Sequence, residues 1–334
     1  MALGWKDFLP SGEEITALHE QIREGLMIHA LLISGESGFG KKSLANLVAE
    51  TLLCRGEGEK PCGRCNGCLM AQKQEHPDFL LIERGRSLTG VPPKNKTAIP
   101  VGEIREVIRQ SSAWPFEGGN RVILINHAED MNAQAQNCLL KILEEPPANT
   151  YFILTAVHPD QLLTTVRSRC RSLKMKPWKE EKLTALLTGM GIGEQKARAA
   201  SRAARGSVGT AVRLSSDDEY WKARDEIINA FFKTRSRSEI LKVSNLWKDR
   251  KQESDLLFDT LEEAVRALIA YRLDREEDAV RDFPEEWKKF ALETDFSGFS
   301  SLLDRISESR KECSFNVNFQ AVFEQLMLSF IGMI

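Results

Sequence analysis

The stretch that decides the fold is His29-Ala-Leu-Leu-Ile-Ser-Gly-Glu-Ser-Gly-Phe-Gly-Lys-Lys42. Its first six residues form an apolar run typical of a buried β-strand, and Gly35 to Lys42 match the phosphate-loop pattern G-x-x-x-x-G-K. A helical pattern, Ser43 to Leu53, follows directly. In such a loop the backbone N–H groups surround an anion at a helix N-terminus, and the Lys reaches the outer phosphates. The predicted anion-binding residues are Gly35, Gly38, Gly40 and Lys41.

Two more apolar runs, Arg121 to Asn126 and Tyr151 to Ala156, are typical of buried strands. Between them, Ala133 to Glu145 has the pattern of a helix that Pro146 ends. Apolar strands that alternate with helices predict a parallel sheet covered on both faces. After Pro177 the pattern predicts helices only. We therefore predict three domains: an α/β domain over 1–177, a small helical domain over 178–217 and an all-α domain over 218–334.

The charge balance excludes some classes of function. Lys and Arg total 46 against 48 Asp and Glu, for a net charge of −2. A protein that grips nucleic acid alone normally has a basic excess, so any DNA contact is expected to be local or shared with partner subunits. No apolar stretch approaches the ~20 residues that span a bilayer. Because Lys6 and Asp7 interrupt the first apolar residues, we expect no signal peptide, no membrane contact and a cytoplasmic location.

The side chains that handle magnesium in an active phosphate-loop site are missing. The residue after the loop lysine should be Ser or Thr, because its hydroxyl ligates Mg²⁺, but this chain has Lys42. Ser43 cannot substitute, since one residue along a helix rotates the side chain by ~100°. At the end of the second strand, Asn126 and His127 stand where a hydrolytic site of this class has Asp and Glu.

Two acidic residues, Glu129 and Asp130, come shortly after that strand, and we expect them on the surface. The prediction is a nucleotide fold that does not hydrolyse ATP, while ATP binding stays open. The alternative is an active ATPase in which Lys42 supplies the missing metal charge and His127 positions the attacking water.

Four of the seven cysteines are clustered, with spacings of seven, two and two residues between them. An odd total and this clustering argue against a disulfide framework. Four thiolates at such spacings can close a tetrahedron around Zn²⁺ and leave no open position, so the predicted site is structural. Four unrelated buried cysteines are one alternative. A finger that reads nucleic acid is another, disfavoured because aromatic residues for base stacking are lacking. The predicted zinc ligands are Cys54, Cys62, Cys65 and Cys68.

The third strand is followed by a turn that contains Ser168-Arg169-Cys170. An arginine at the edge of a nucleotide domain can reach the γ-phosphate bound by an adjacent subunit and stabilise the charge of the transition state. The alternative from the residues alone is an ordinary surface arginine.

Taken together, these motifs resemble the delta-prime family of clamp-loader subunits of bacterial DNA polymerase III, which are AAA+ proteins. The resemblance rests on the altered phosphate loop, the cysteine module directly after the first helix, the block Asn137-Cys-Leu-Leu-Lys-Ile-Leu-Glu-Glu-Pro-Pro147, and Ser168-Arg169-Cys170. The related motor subunits share the zinc module and Ser-Arg-Cys, but they keep an intact phosphate loop and the acidic pair.

The resemblance implies an AAA+ RecA-like domain with an inserted zinc module at 54–68, a helical lid and a helical collar for oligomerisation. It implies a non-hydrolysing stator in a hetero-pentamer with the tau/gamma motor subunits and the delta subunit, which loads the sliding clamp onto primer-template DNA. Arg169, with Ser168, would then be an arginine finger acting in trans. Thr155 would lie at the first sensor position, and Gly206-Ser-Val-Gly209 lacks the second sensor arginine.

Overall fold

The computed structural model describes residues 3–9, 12–88, 98–116, 119–274, 280, 283–314 and 317–332. The chain divides into two units, one of Met1–Leu186 with Gly206–Thr210, the other of Leu187–Arg205 with Ala211–Ile334. Within the described ranges, no helix combines the length and the apolar character that a membrane span needs.

A five-stranded parallel sheet forms the centre of the first unit, in the spatial order β2-β3-β4-β1-β5. The three predicted strands are confirmed, and two short ones are added. In chain order the strands are β1 (Ala30–Ser34), β2 (Phe79–Ile82), β3 (Arg121–Ile125), β4 (Thr150–Ala156) and β5 (Arg171–Lys174). Strands β1, β2 and β3 are buried along their whole length, as expected for a sheet covered on both faces.

Helices precede, connect and cover these strands. They are α1 (Trp5–Phe8), α2 (Glu13–Arg23), α3 (Lys41–Leu53), α4 (Asn66–Gln72), α5 (Val101–Ser111), α6 (Ala133–Glu144) and α7 (Thr164–Arg167). Helix α6 begins where the Asn132 side chain accepts a hydrogen bond from the Ala135 N–H, at 2.9 Å. It ends at Glu144, one residue earlier than the predicted Glu145 and two residues before Pro146.

After β5 the described chain is helical. The helices are α8 (Glu180–Gly189), α9 (Glu194–Ala203), α10 (Val208–Ser215), α11 (Asp218–Lys233), α12 (Arg237–Trp247), α13 (Ser254–Asp274), α14 (Glu285–Glu293), α15 (Phe296–Ser314) and α16 (Phe319–Ile331). An aromatic cluster packs α11, α14 and α16 together, with Phe232 in contact with Trp287 and Phe330. The predicted architecture is confirmed: a parallel α/β sheet domain that contains the cysteine cluster, followed by a helical C-terminal region. The exact boundaries of three domains stay a prediction.

Candidate functional site

The phosphate loop lies where the sequence predicts it, between β1 and α3. Gly35, Gly38 and Gly40 all have positive φ, at 146°, 79° and 92°. These values favour glycine, and at Gly38 a Cβ would also lie 2.0 Å from the Ser207 hydroxyl oxygen. At these three glycines the loop therefore has a positive-φ backbone that residues with a side chain rarely adopt.

Lys41 does not extend away from this loop. Its Nζ donates hydrogen bonds to the carbonyl oxygens of Gly35 and Glu36, each at 2.7 Å. Only 6% of the residue is exposed, and this burial lowers the pKa of the ammonium group. The side chain that would meet the outer phosphates is therefore bonded to the loop itself.

Lys42 forms an ion pair beside the loop. Its Nζ lies 2.6 Å from Oε2 of Glu83, the residue that follows β2. Burial alone would raise the pKa of Glu83, but hydrogen bonds from Lys42 and Asn126 outweigh it and hold that pKa below its usual value. Glu83 was not predicted as a site residue. An ammonium–carboxylate pair thus replaces the hydroxyl that would ligate magnesium.

Asn126 and Thr155 extend this pair across the carboxyl ends of β3 and β4. The Asn126 amide donates to Glu83 Oε2 at 3.0 Å, and its oxygen accepts from the Thr155 hydroxyl at 2.8 Å. The Thr155 oxygen accepts in turn from the His127 N–H at 3.0 Å. Thr155 is fully buried. Lys42, Glu83, Asn126 and Thr155 therefore form one connected chain of polar contacts at this edge of the sheet.

The prediction that Glu129 and Asp130 lie on the surface is wrong. Their side chains are only 7% and 5% exposed. His127 has a φ of 55°, and the chain then folds at once into a short 3-10 helix, Ala128–Asp130. This tight reversal brings Glu129 Oε1 within 2.8 Å of the Val157 N–H, which donates to it, while Asp130 pairs with Arg84. Both carboxylates therefore serve to hold the segment after β3.

The segment Gly206-Ser-Val-Gly209, which leads into α10, packs directly on the phosphate loop. The Gly209 N–H donates to the Gly38 carbonyl at 2.9 Å. A Cβ at Gly209 would lie 3.3 Å from the Gly38 Cα, so a side chain at this position would press on the loop. The resemblance places the second sensor arginine of motor subunits at the position of Gly209. Here Gly209 instead makes a backbone hydrogen bond to the loop.

The four predicted zinc ligands come together between α3 and α4. Their sulfur atoms all lie within 4.8 Å of one another. The Cys62–Cys68 and Cys54–Cys65 sulfur pairs are 4.0 and 3.9 Å apart. Two thiolates bound to one tetrahedral Zn²⁺ would be about 3.8 Å apart. The cluster can therefore hold a metal such as zinc.

Backbone N–H groups surround these sulfurs, as a thiolate site requires. Cys65 N donates to the Cys62 sulfur and Cys68 N to the Cys65 sulfur, each at 3.4 Å. Burial would raise the pKa of Cys65, but such hydrogen bonds lower it to about 6. Burial raises the pKa of Cys68. The close packing extends to Gly67, where a Cβ would lie 2.5 Å from the Leu53 carbonyl oxygen.

Arg169 lies on the turn between α7 and β5, with Ser168 exposed beside it. Its Nη1 donates to the Thr165 carbonyl at 2.9 Å, and its Nη2 pairs with the Glu144 carboxylate at the end of α6. The side chain is 33% exposed. Cys170, the next residue, is buried, and this burial raises its pKa to about 12. The buried Cys170 therefore directly follows Arg169, whose guanidinium is accessible.

Comparison with known proteins agrees with this arrangement. Residues 11–179 match the family model described as DNA polymerase III, delta subunit. The chain belongs to this family. The expected resemblance to delta-prime is also confirmed, because several similar curated proteins carry that name.

A family relative from Bacillus subtilis, DNA polymerase III subunit delta', is 26% identical over 98% of both chains. The delta' protein of Escherichia coli is 34% identical, over 68% of this chain and 65% of that protein. A tau subunit from Salmonella typhimurium is 32% identical over 60% of this chain and 31% of its own length. The similarity therefore extends from delta' proteins to tau.

The family match covers the phosphate loop, the cysteine module and the Arg169 turn. Two residues that the sequence did not single out complete these sites, namely Glu83 beside Lys42 and Glu144 beside Arg169. Glu144 was visible only as part of the Glu-Glu-Pro-Pro block. No signal in the sequence marked Glu83, apart from its place after a short apolar run.

Proposed function

We propose that this chain is the delta-prime stator of a bacterial clamp loader, which lends an arginine to a neighbouring ATP site and hydrolyses no ATP itself. The observation that carries the proposal is the Lys42–Glu83 pair, linked through Asn126 to Thr155, at the position where an active site binds magnesium. Because a lysine and an asparagine stand at these two positions, the pocket lacks the hydroxyl and the aspartate that handle Mg²⁺ in an active site of this class.

Arg169 is the residue through which the chain would act. It lies at the edge of the sheet domain, next to a buried cysteine that fixes the backbone. An arginine supplied in trans stabilises the charge that develops on the transferred phosphoryl group. In this proposal Ser168 belongs to the same functional turn. The vestigial phosphate loop consists of Gly35, Gly38, Gly40 and Lys41.

The partners follow from the same proposal. The chain would join tau/gamma motor subunits and a delta subunit in a hetero-pentamer through its C-terminal helices, in the cytoplasm. The complex would load the sliding clamp onto primer-template DNA. Similarity to a tau subunit supports a common architecture for neighbouring subunits. The domain limits that we propose remain 1–177, 178–217 and 218–334.

We further propose that Cys54, Cys62, Cys65 and Cys68 bind one structural Zn²⁺. Four sulfur ligands would leave no open coordination position for water or substrate. When bound, the ion would cross-link the end of α3 to the start of α4.

The alternative of an active ATPase has less support from the contacts. Lys42 could supply the charge of a missing metal ion only if no carboxylate were paired with its ammonium group. Glu83 forms such a pair and neutralises the ammonium. His127 could position water only from a defined orientation, yet its ring is 46% exposed, 3.3 Å from Glu129.

Co-expression of the full chain with its motor and delta subunits, followed by native mass measurement, tests the proposed assembly. We expect one copy of this chain in a five-subunit complex. A chain that purifies only as a homo-oligomer, or that does not co-purify with the motor subunits, would contradict the proposal.

A further inference from the structure

Two groups from different helices hold the Arg169 guanidinium. The Thr165 carbonyl, within α7, accepts from Nη1, and the Glu144 carboxylate, at the end of α6, pairs with Nη2. The two elements are separated in the sequence by the whole of β4. The tertiary fold therefore determines where the charged end of Arg169 lies, although the side chain is accessible.

The position of Glu144 is electrostatically unfavourable for a carboxylate. It is the last residue of α6, where the unpaired carbonyl groups make the negative end of the helix dipole. Glu145 adds a second negative charge one residue later. Cations at this end offset the repulsion: Lys141 lies in the same last turn, and Arg169 pairs directly with Glu144. The pair therefore brings a positive charge to the negative end of α6, where a cation is favourable.

We propose that Glu144 is a positioning residue for Arg169, an inference that rests on the proposed function in trans. A flexible arginine side chain loses rotamer entropy when it is fixed in one geometry. Holding the guanidinium in place beforehand reduces the ordering required when the neighbour's nucleotide arrives. Arg169 has five N–H donors, and the two contacts leave the others available for a phosphate.

An alternative role for Glu144 predicts the opposite change in the hydrolysis rate. If Glu144 mainly neutralised Arg169, its removal would increase the attraction between the guanidinium and phosphate and speed hydrolysis. The two possibilities can be separated by the direction of the rate change. The Thr165 contact favours positioning, since a neutral carbonyl orients the guanidinium without reducing its charge.

The test uses the full chain assembled with its motor and delta subunits, and single-turnover hydrolysis of labelled ATP. With Glu144→Ala, we expect the phase from the neighbouring site to slow by about tenfold, with no change in the ATP concentration for half-saturation. Glu144→Gln keeps an acceptor oxygen and should slow it less. The matched control, Glu145→Gln, removes a charge from the same helix end and should leave the rate unchanged.

A double substitution separates this inference from the proposed function. In an Arg169→Ala background, Glu144→Ala should have no further effect. If Arg169→Ala itself leaves hydrolysis unchanged, the function in trans is wrong. If Arg169→Ala slows hydrolysis but Glu144→Ala and Glu144→Gln do not, or if they accelerate it, the positioning role alone is wrong. Native mass measurement of each complex confirms that the variants assemble.

Discussion

Replacing Arg169 by alanine should slow ATP hydrolysis at the neighbouring motor subunit by about 10³-fold or more, the usual contribution of an arginine finger. The loss should appear in the assembled complex only, because in the proposed function the chain hydrolyses no ATP itself. Nucleotide binding by the motor subunit should change much less, since the finger acts mainly on charge that develops in the transition state. Arg169→Lys should restore little, because lysine lacks the planar set of donors.

Single-turnover hydrolysis measures this effect directly. In the Arg169→Ala complex, the fast phase of ATP hydrolysis should lose the contribution of the one site next to Arg169. The sites between motor subunits should continue to hydrolyse ATP. Arg171→Ala, two residues further along at the start of β5, removes a partly exposed arginine outside the proposed contact and serves as control. An unchanged fast phase with Arg169→Ala would show that no finger acts from this turn.

Removal of metal from the cysteine module should unfold that module. Structural zinc sites in small peptides contribute roughly 10–16 kcal/mol of apparent binding free energy, which is folding free energy there. We expect one Zn²⁺ per chain by elemental analysis, and a strong chelator should release it. Trypsin should then cut after Arg55 and Arg64, both exposed within the module, much faster than before.

A cysteine substitution provides the matched comparison. Cys65→Ser should abolish stoichiometric zinc and give the protease-sensitive form without chelator. Cys138→Ser, which changes a half-buried cysteine on α6, should keep both zinc and protection. Full zinc content with Cys65→Ser would contradict the four-thiolate site. Loss of DNA binding by the free chain on chelation, without loss of stability, would favour the nucleic-acid adaptor instead.

The central strands were predictable because they are buried. Residues 30–34, 121–125 and 150–156 are apolar runs inside the sheet, and such runs are the strongest signal for strands of this type. The β5 strand gives no such run: it lies at the edge of the sheet, and Leu173 is its one buried residue. The β2 strand is apolar but only four residues long, too short to separate from other apolar segments.

Each candidate site combines residues that a short sequence motif identifies with residues that only the tertiary fold brings close. The phosphate loop and the cysteine ligands follow from short spacings along the chain. The partners Glu83 and Glu144 lie 41 and 25 residues from the side chains that they bind, so only the fold brings them together. The burial of Glu129 and Asp130 depends on the left-handed backbone of His127, which the sequence pattern did not indicate.

ATP hydrolysis by the purified chain alone shows whether its own phosphate-loop pocket is active. With saturating Mg²⁺–ATP, we expect a rate no higher than that of Lys41→Ala, a variant that removes the loop lysine. A rate well above this control would show that the pocket hydrolyses ATP itself and that the chain is not a non-hydrolysing stator.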